Sequence, residues 1–350
     1  MDTLFFQKEK IGLQIPDFRN QTIFYCVLNW GIGHATRSVP IIKQLLDQQN
    51  EVILFSDGEA ENLLKTSFPN LTIQSLPSYK IQYKAKKNLL IDIALQSVTR
   101  LWVLNKEYYV LKKYAKKYSP SIVISDNRYG CNLKTTENYL ITHQLKLVAN
   151  NWIERLSPKF IGMLIKPFRE LWIPDIESVK LSGNMTEVKF PIVKRWIGFP
   201  KLILPTTTTL DYKSKLLILL SGPEPRRSEL EAIYLKTIPR IPFDVTFIAG
   251  NFSKGYVEKK EGNLNFFSFK KYEETIQHIS AADMIVCRSG YSTLIDLYIL
   301  GKEKIICIPT AGQPEQEYLA SYWSQKGWVK TINEDEIEEK LVSEVLKLDS

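Results

Sequence analysis

Short apolar runs alternate with amphipathic stretches along almost the whole chain, a pattern that predicts a parallel α/β architecture. In the first half, strands are predicted at 23–29, 52–56, 71–76, 122–125 and 146–150, with helices notably at 40–48 and 88–118. In the second half, strands are predicted at 215–220, 245–248, 264–267, 284–287 and 304–308. Helices are predicted there at 228–236, 272–281, 293–300, 316–326 and 336–348.

Residues 174–209 lie between the two halves and show little periodicity. Prolines and the run Thr206–Thr209 favour an extended connector, so we place the boundary at Phe199. A chain of 350 residues suits two domains of ordinary size. We therefore expect two Rossmann-like, doubly wound domains, 1–199 and 200–350, that face each other across a cleft. The last helix is a candidate to pack back on the first domain.

The composition, 44% hydrophobic and 24% charged, is typical of a soluble protein. Apolar runs are strand-sized and fall well short of the roughly 20 residues that span a bilayer. The N-terminus lacks the apolar core of a signal peptide. Cys26, Cys287 and Cys307 lie within apolar strand patterns and are expected to be buried thiols. These features favour the cytoplasm.

The net charge of +8 is concentrated in residues 79–118, which hold ten basic and two acidic residues among seven aromatic ones. Such a helical surface could contact anionic lipid headgroups at the inner face of a membrane, or a polyanionic acceptor. It could equally be a solvated helix whose lysines extend over a core face. Nucleic-acid binding is disfavoured because no recognition motif accompanies the charge.

The first strand runs into a loop that contains Gly31, Gly33 and His34 and precedes a helix. Ligands of open α/β sheets bind at this carboxyl edge, where an imidazole could accept a proton from an attacking hydroxyl. A structural histidine that caps the helix is the alternative. Of the other two histidines, His278 is interpreted as structural and His143 stays ambiguous.

Asp126 and Arg128 follow the strand at 122–125, again at the carboxyl edge. Asp126 could orient a hydroxyl or a histidine, and Arg128 could pair with a phosphate or a carboxylate. An Asx-type turn explains the same residues equally well.

In the second half, the strand that ends at Cys287 passes through Arg288, Ser289 and Gly290 directly into a helix. This arrangement presents free backbone N–H groups and the helix dipole to an anionic ligand. The strand at 304–308 likewise enters the polar loop 309–316. A third loop, with Ser221, Gly222 and Arg227, would suit a diphosphate or form a rigid proline-containing turn.

The segment from Ala282 to Asp296, continued through Gly301, Pro309 and Gln316, resembles the C-terminal donor-binding signature of glycosyltransferase family 28. This is the group of the MurG-type N-acetylglucosaminyltransferase of peptidoglycan synthesis. The loop at Gly31–His34 resembles the family's N-terminal glycine-rich loop with one glycine missing, and Asp296 replaces the usual glutamate. The resemblance is specific mainly over 267–328 and covers the rest in outline.

The resemblance implies the GT-B fold, with the donor held by the C-terminal domain and the acceptor by the N-terminal one. It implies that Asp296 binds the ribose and that Ser289, Gly290 and Thr293 line the diphosphate. Backbone near Phe269 would meet the base, and His34 would lie near the reacting centre. The transferred sugar would be contacted by Gln313, Glu315 and Gln316.

Family members typically invert the anomeric carbon without a bound metal, so no cofactor is expected beyond a UDP-sugar substrate. Arg227 or Arg288 could stabilise the departing diphosphate, and His34 or Asp126 could take the acceptor proton. The N-terminal half matches the peptidoglycan enzyme poorly, so an unknown acceptor is expected, whether a glycan, a lipid-linked molecule or a small molecule.

Two other functions remain open at this point. A non-hydrolysing UDP-sugar 2-epimerase shares the architecture but would need several carboxylates and a histidine around the sugar. A catalytically silent protein that binds a nucleotide sugar or a membrane surface is the other possibility.

Overall fold

The computed structural model describes residues 12–30, 33–79, 89–146, 152–200, 214–222, 224–251 and 255–349, with side chains omitted at 89–100 and 152–156. The described residues fall into two compact units, 12–200 and 214–349. Each unit is built on a seven-stranded sheet.

The first unit alternates strands and helices as the hydrophobic pattern predicts. Its elements are β1 (Thr22–Val27), α1 (Gly33–Asp47), β2 (Glu51–Ser56), α2 (Gly58–Ser67), β3 (Ile73–Ser75), α3 (Leu89–Tyr118), β4 (Ile122–Asp126), β5 (Glu137–Ile141), α4 (Trp152–Ile165), β6 (Glu170–Ile173) and β7 (Val193–Trp196).

The sheet order in this unit is β3-β2-β1-β4-β5-β6-β7, and all neighbouring strands are parallel. Successive residues of β1 point to opposite faces: Tyr25 packs beneath α1, whereas Phe24 and Cys26 pack with residues of α3. Both faces of the central strands are covered, as parallel sheets require.

The predicted strand at 146–150 falls almost entirely outside the described residues, and the predicted connector at 174–209 was wrong in part. The fifth strand is Glu137–Ile141, and Lys146 lies in a bend; residues 147–150 are outside the described ranges. The supposed connector contains β7, which pairs with β6 and extends the first sheet. Pro191 lies two residues before β7, outside the edge strand, where its missing N–H removes no hydrogen bond from the sheet.

The second unit repeats the theme. Its elements are β8 (Ser214–Leu219), α5 (Arg226–Thr237), β9 (Val245–Ile248), β10 (Glu258–Glu261), β11 (Leu264–Phe267), α6 (Tyr272–Ala281), β12 (Ala282–Cys287), α7 (Tyr291–Ile299), β13 (Ile305–Cys307), α8 (Pro314–Gln325), β14 (Lys330–Thr331) and α9 (Ile337–Asp349). The strand order is β10-β11-β9-β8-β12-β13-β14, and only β10 is antiparallel to its neighbour.

The last helix, α9, packs within its own unit. Ile337, Leu341 and Val345, spaced four residues apart, enter the core that also holds Leu230 and Tyr234 of α5. Each such fully buried aliphatic side chain contributes roughly 1.5–3 kcal/mol of transfer free energy.

All four cysteines are buried free thiols. Cys287 and Cys307 are direct partners on β12 and β13. Burial raises the pKa of the Cys131 thiol well above its usual range, and contact with Cys287 and burial do the same for Cys307. Within the described residues, no helix is long and apolar enough to cross a membrane.

Candidate functional site

In the first unit the chain reverses its winding direction between β1 and β4. Strands β2 and β3 lie on one side of β1, and β4 to β7 lie on the other. Loops at the carboxyl ends of the two central strands diverge there, which opens the crevice where doubly wound sheets bind ligands. Val27 and Asp126 are paired across these strands at that edge.

His34 and Asp126, predicted separately, meet at this point. The Nδ1 atom of His34, in the first turn of α1, lies 2.8 Å from Oδ1 of Asp126, the last residue of β4. The aspartate side chain is fully buried, whereas the imidazole keeps 12% of its surface accessible. In the described residues no hydrogen bond engages Nε2 of His34.

Arg37 lies one helical turn after His34 and contacts the same carboxylate. Its Nε donates to Oδ2 of Asp126 at 2.8 Å, and its Nη2 donates to Oδ1. Nη2 also lies 2.8 Å from Nδ1 of His34, and Nη1 lies 3.2 Å from Nδ1 of His143. Sequence reasoning missed Arg37, although its i, i+3 spacing places it on the same helix face as His34.

The charges in this cluster shift two pKa values downward. Burial and the Arg37 guanidinium lower the pKa of His34, against an opposing pull from Asp126. Burial alone would raise the pKa of Asp126, but Arg37 and His34 outweigh it and hold that pKa well below its usual range. At neutral pH the aspartate is therefore charged and the imidazole is neutral.

Arg128 faces away from this cluster. Its guanidinium donates to Oε1 of Glu107 at 2.8 Å, to a carboxylate oxygen of Asp57, and to the carbonyl of Val27 at 2.8 Å. The side chain is fully buried. Of the two predicted partners, the carboxylate is the one observed, and these contacts fasten α3 to the sheet edge.

Gly33, the second glycine of the glycine-rich loop, is the first residue of α1. Gly31 lies outside the described residues, so its predicted ligand contact stays a prediction.

The second unit has its own reversal point between β8 and β12. Ser221 and Gly222 follow β8, and Arg288, Ser289 and Gly290 follow β12, so the predicted donor loops flank this point. Gly290 is the N-cap of α7, and a Cβ added there would meet nothing within 4 Å. The space beside Gly290 at this helix start is therefore open, which is compatible with the close approach of an anion. Thr293 lies in the first turn, half-buried.

The side chains of Arg227 and Arg288 are committed to internal carboxylates. Arg227 contacts Oε1 of Glu224 at 2.7 Å and Oε2 of Glu231 at 2.5 Å. Arg288 pairs with Glu334 at 2.5 Å and donates to the carbonyl of Ile308 at 3.1 Å. Both arginines are almost fully buried. They hold the loops in place, and direct diphosphate contacts stay a prediction.

Asp296 lies on α7 with one carboxylate oxygen already oriented. The hydroxyl of Tyr272, the first residue of α6, donates to its Oδ1 at 2.8 Å. Burial and the charge of Asp296 raise the pKa of Tyr272, so this hydroxyl remains a donor at neutral pH. Phe269, half-buried, lies three residues before Tyr272, which brings the predicted base and ribose positions onto adjoining segments. Sequence reasoning missed Tyr272.

The loop after β13 is ordered by its own glutamine. Oε1 of Gln316 accepts from the N–H and the hydroxyl of Thr310, both at 3.0 Å, and its Nε2 donates to Gln313 at 2.7 Å. Ser289 donates to the carbonyl of Gln316 at 2.7 Å and thereby links the loops after β12 and β13. Glu315 lies in the first turn of α8. The structure thus brings these predicted residues together at one edge of the second sheet.

Comparison with known proteins is consistent with this arrangement. Residues 240–350 match the family model described as glycosyltransferase family 28 C-terminal domain. A UDP-N-acetylglucosamine–N-acetylmuramyl-(pentapeptide) pyrophosphoryl-undecaprenol N-acetylglucosamine transferase of Alkaliphilus metalliredigens is 22% identical over 87% of this chain and 83% of its own length. The predicted family 28 signature is confirmed for the C-terminal domain.

Two solved structures show the same fold. The glycotransferase of kitacinnamycin superposes with a TM-score of 0.68 at 12% identity, covering 95% of this chain and 91% of its own. MurG of Acinetobacter baumannii superposes with a TM-score of 0.58 at 14% identity, covering 95% and 91%. The predicted GT-B fold of two Rossmann-like domains is confirmed.

Proposed function

We propose that this glycosyltransferase, whose residues 240–350 belong to the family 28 C-terminal domain, transfers a sugar from a UDP donor to a hydroxyl acceptor with His34 as the general base. The observation that carries the proposal is the contact between His34 and Asp126 at the reversal point of the first sheet. UDP is proposed because the relative in Alkaliphilus metalliredigens is named for UDP-N-acetylglucosamine.

The geometry favours His34 over Asp126 as the base. Asp126 is fully buried and its low pKa makes it a poor proton acceptor, whereas the His34 imidazole is neutral and reaches the surface. When Nδ1–H donates to the aspartate, the lone pair of Nε2 is free to accept the acceptor's hydroxyl proton. A correctly placed base of this kind contributes about 10²–10⁴-fold to the rate.

On the donor side, breakage of the bond between the sugar and the diphosphate leaves negative charge on UDP. The start of α7 at Gly290 offers N–H groups and the positive end of the helix dipole to that charge. Displacement by the hydroxyl from the opposite side of the anomeric carbon inverts its configuration. This scheme needs no metal, and Asp296 would hold the ribose.

The acceptor side is proposed to be lipid-linked, since the same relative is named for a pyrophosphoryl-undecaprenol substrate. Helix α3 supports contact with an anionic membrane surface. Val103, Glu107 and Leu111 form its buried face, while Leu101, Trp102 and Tyr109 are 49%, 54% and 65% exposed. The outer face also carries exposed lysines at 106, 112, 113, 116 and 117.

The test is incubation of the purified protein with a panel of UDP-sugars, with and without EDTA, followed by measurement of free UDP. Transfer, or slow hydrolysis, releases UDP, whereas epimerisation conserves it. We expect His34→Gln to reduce UDP release about 100-fold or more while UDP still binds. His278→Gln is the matched control, because His278 lies on α6 of the second unit and its ring packs against Phe267.

The pH dependence adds a second criterion. The base works when it is deprotonated, so kcat/KM should rise through the pKa of His34 and level off above it. Because burial and Arg37 lower that pKa, the plateau should begin on the acidic side of an ordinary histidine. UDP release that is unchanged in His34→Gln, or that EDTA abolishes, would contradict the proposal.

A further inference from the structure

Arg37 is a buried cation that the proposed chemistry does not use. Its side chain is 3% exposed, and its guanidinium contacts Asp126, His34 and His143. An arginine can only donate, so Nδ1 of His143 must be an unprotonated acceptor. This contact with Arg37 therefore favours the tautomer of His143 that carries its N–H on Nε2.

At His34 the guanidinium of Arg37 and the carboxylate of Asp126 compete for a hydrogen bond with Nδ1. Nδ1 lies 2.8 Å from Oδ1 of Asp126 and 2.8 Å from Nη2 of Arg37. If Nδ1 is protonated it donates to Asp126 and Nε2 can act as a base. If Nδ1 carries no proton, it accepts a hydrogen bond from Arg37. Nε2 then carries the proton and cannot act as a base. The position of one guanidinium thus balances an active and an inactive tautomer.

Groups from several described elements surround this cluster. From β1 the buried Tyr25 lies near Asp126, whose charge, after burial, keeps the pKa of that phenol raised. From α1, the Ser38 hydroxyl lies 3.2 Å from Oδ2 of Asp126. From the loop after β5 comes His143, which is 6% exposed. Arg37 is the permanent cation among these groups.

We infer that Arg37 is a positioning residue, which holds Asp126 and sets the tautomer of His34, and that His143 fixes the orientation of its guanidinium. The inference rests on the proposed role of His34 as the base. Asp126 then has two bonds to Arg37 whichever way the imidazole is protonated, so the carboxylate stays in place while the proton moves.

Nuclear magnetic resonance of the histidine rings tests this without any turnover. The chain has only three histidines, so ring signals can be assigned from His34→Gln, His143→Gln and His278→Gln. In Arg37→Met we expect the pKa of His34 to rise, because a repelling charge is lost and Asp126 remains. The Nδ1–H tautomer of His34 should also become more populated, and the His143 tautomer should no longer be fixed.

The second experiment measures the activity of the same variants. The acidic limb of kcat/KM should move to higher pH in Arg37→Met, and kcat should fall about 100-fold because Asp126 is no longer held. Arg37→Lys keeps the positive charge but loses the planar guanidinium that makes two bonds to Asp126. The acidic limb of kcat/KM should therefore stay near that of the wild type, while kcat falls. In His143→Gln an amide oxygen can replace Nδ1 as the acceptor, and His143→Leu cannot provide one. The glutamine variant should therefore retain more kcat than the leucine variant.

A folded Arg37→Met protein whose His34 titration and pH limb both coincide with the wild type would overturn the inference. If Arg37→Met does not fold, Arg37→Lys decides, since unchanged ring-nitrogen signals of His34 and His143 would equally overturn it. Wild-type protein that transfers no sugar would defeat the proposed function alone, because the ring titrations stand independently of turnover.

Discussion

At the residue scale, several side chains act on one another before any ligand arrives. Asp126 has a carboxylate fixed by Arg37, and Asp296 has one fixed by Tyr272. Both carboxylates lie at the carboxyl edge of a sheet or on the helix that follows it. Orientation before binding lowers the entropy that a ligand must give up, so these partners bear on affinity and rate as much as on stability.

The contact between Tyr272 and Asp296 predicts a donor-binding defect. Tyr272→Phe keeps the ring and removes the hydroxyl that orients the carboxylate, so we expect UDP to bind at least about tenfold more weakly. A net hydrogen bond to a charged group is worth about 1.5–3 kcal/mol. Titration calorimetry with UDP measures the change, and kcat should be affected less than KM.

Asp296→Glu is the matched control for that experiment, since the resemblance shows a glutamate at this position. It should bind UDP, whereas Asp296→Ala should not. If Tyr272→Phe bound UDP as tightly as the wild type, Asp296 would need no orienting partner.

At the element scale, the loops after neighbouring strands pack against one another, and Gly250 shows how closely. Gly250 follows β9 with a φ of +65°, and a Cβ there would lie 2.3 Å from the carbonyl oxygen of Leu220. The loop after β9 therefore presses on the end of β8, directly before Ser221 and Gly222. The predicted donor loop is supported from the neighbouring strand.

Gly250→Ala is expected to destabilise the second unit by more than the roughly 1 kcal/mol that positive φ alone costs an alanine. The matched control is Gly262→Ala, in the turn between β10 and β11. That glycine has a φ of +56°, but nothing lies within 4 Å of an added Cβ. Chemical denaturation compares the free energy of unfolding of the two variants. Equal losses would show that the backbone near Leu220 accommodates the added methyl group without strain.

Much of the element pattern could be predicted from the sequence, since apolar runs flanked by turn residues mark buried strands. The predicted bounds of β9, β11 and α6 match the structure. β5 was missed because polar Glu137 and Asn138 interrupt its apolar run, and β7 because only Val193 and Trp196 are apolar in it. His34 and Asp126 could be predicted by their place after strands. Arg37 and Tyr272 could not, because their roles depend on contacts across 89 and 24 residues of sequence.

At the scale of the whole molecule, the charge is strongly asymmetric. Residues 79–118 carry an excess of +8, equal to the net charge of the chain. On the described part of this segment, Glu107 is buried and paired with Arg128, so the outer face of α3 is more basic than the sequence count suggests. This asymmetry gives the first unit a field that favours anionic surfaces.

We predict that the protein sediments with vesicles containing anionic phospholipid and that it dissociates as salt rises. Reversal of charge at Lys112, Lys113, Lys116 and Lys117 should abolish sedimentation and leave UDP release from a soluble donor unchanged. The control reverses Lys236, Lys259 and Lys260 on the second unit. Equal binding by both multiple variants would show that α3 is simply a solvated helix.

The burial of all four thiols makes the native protein nearly inert toward maleimides. A cysteine introduced at exposed Lys112 on α3 and another at exposed Lys260 on β10 would therefore be the two reactive sulfurs of the chain. A fluorescent donor and acceptor attached to them would report by energy transfer whether the two units change separation when UDP binds. A change in that separation can thus be measured without first removing a native cysteine.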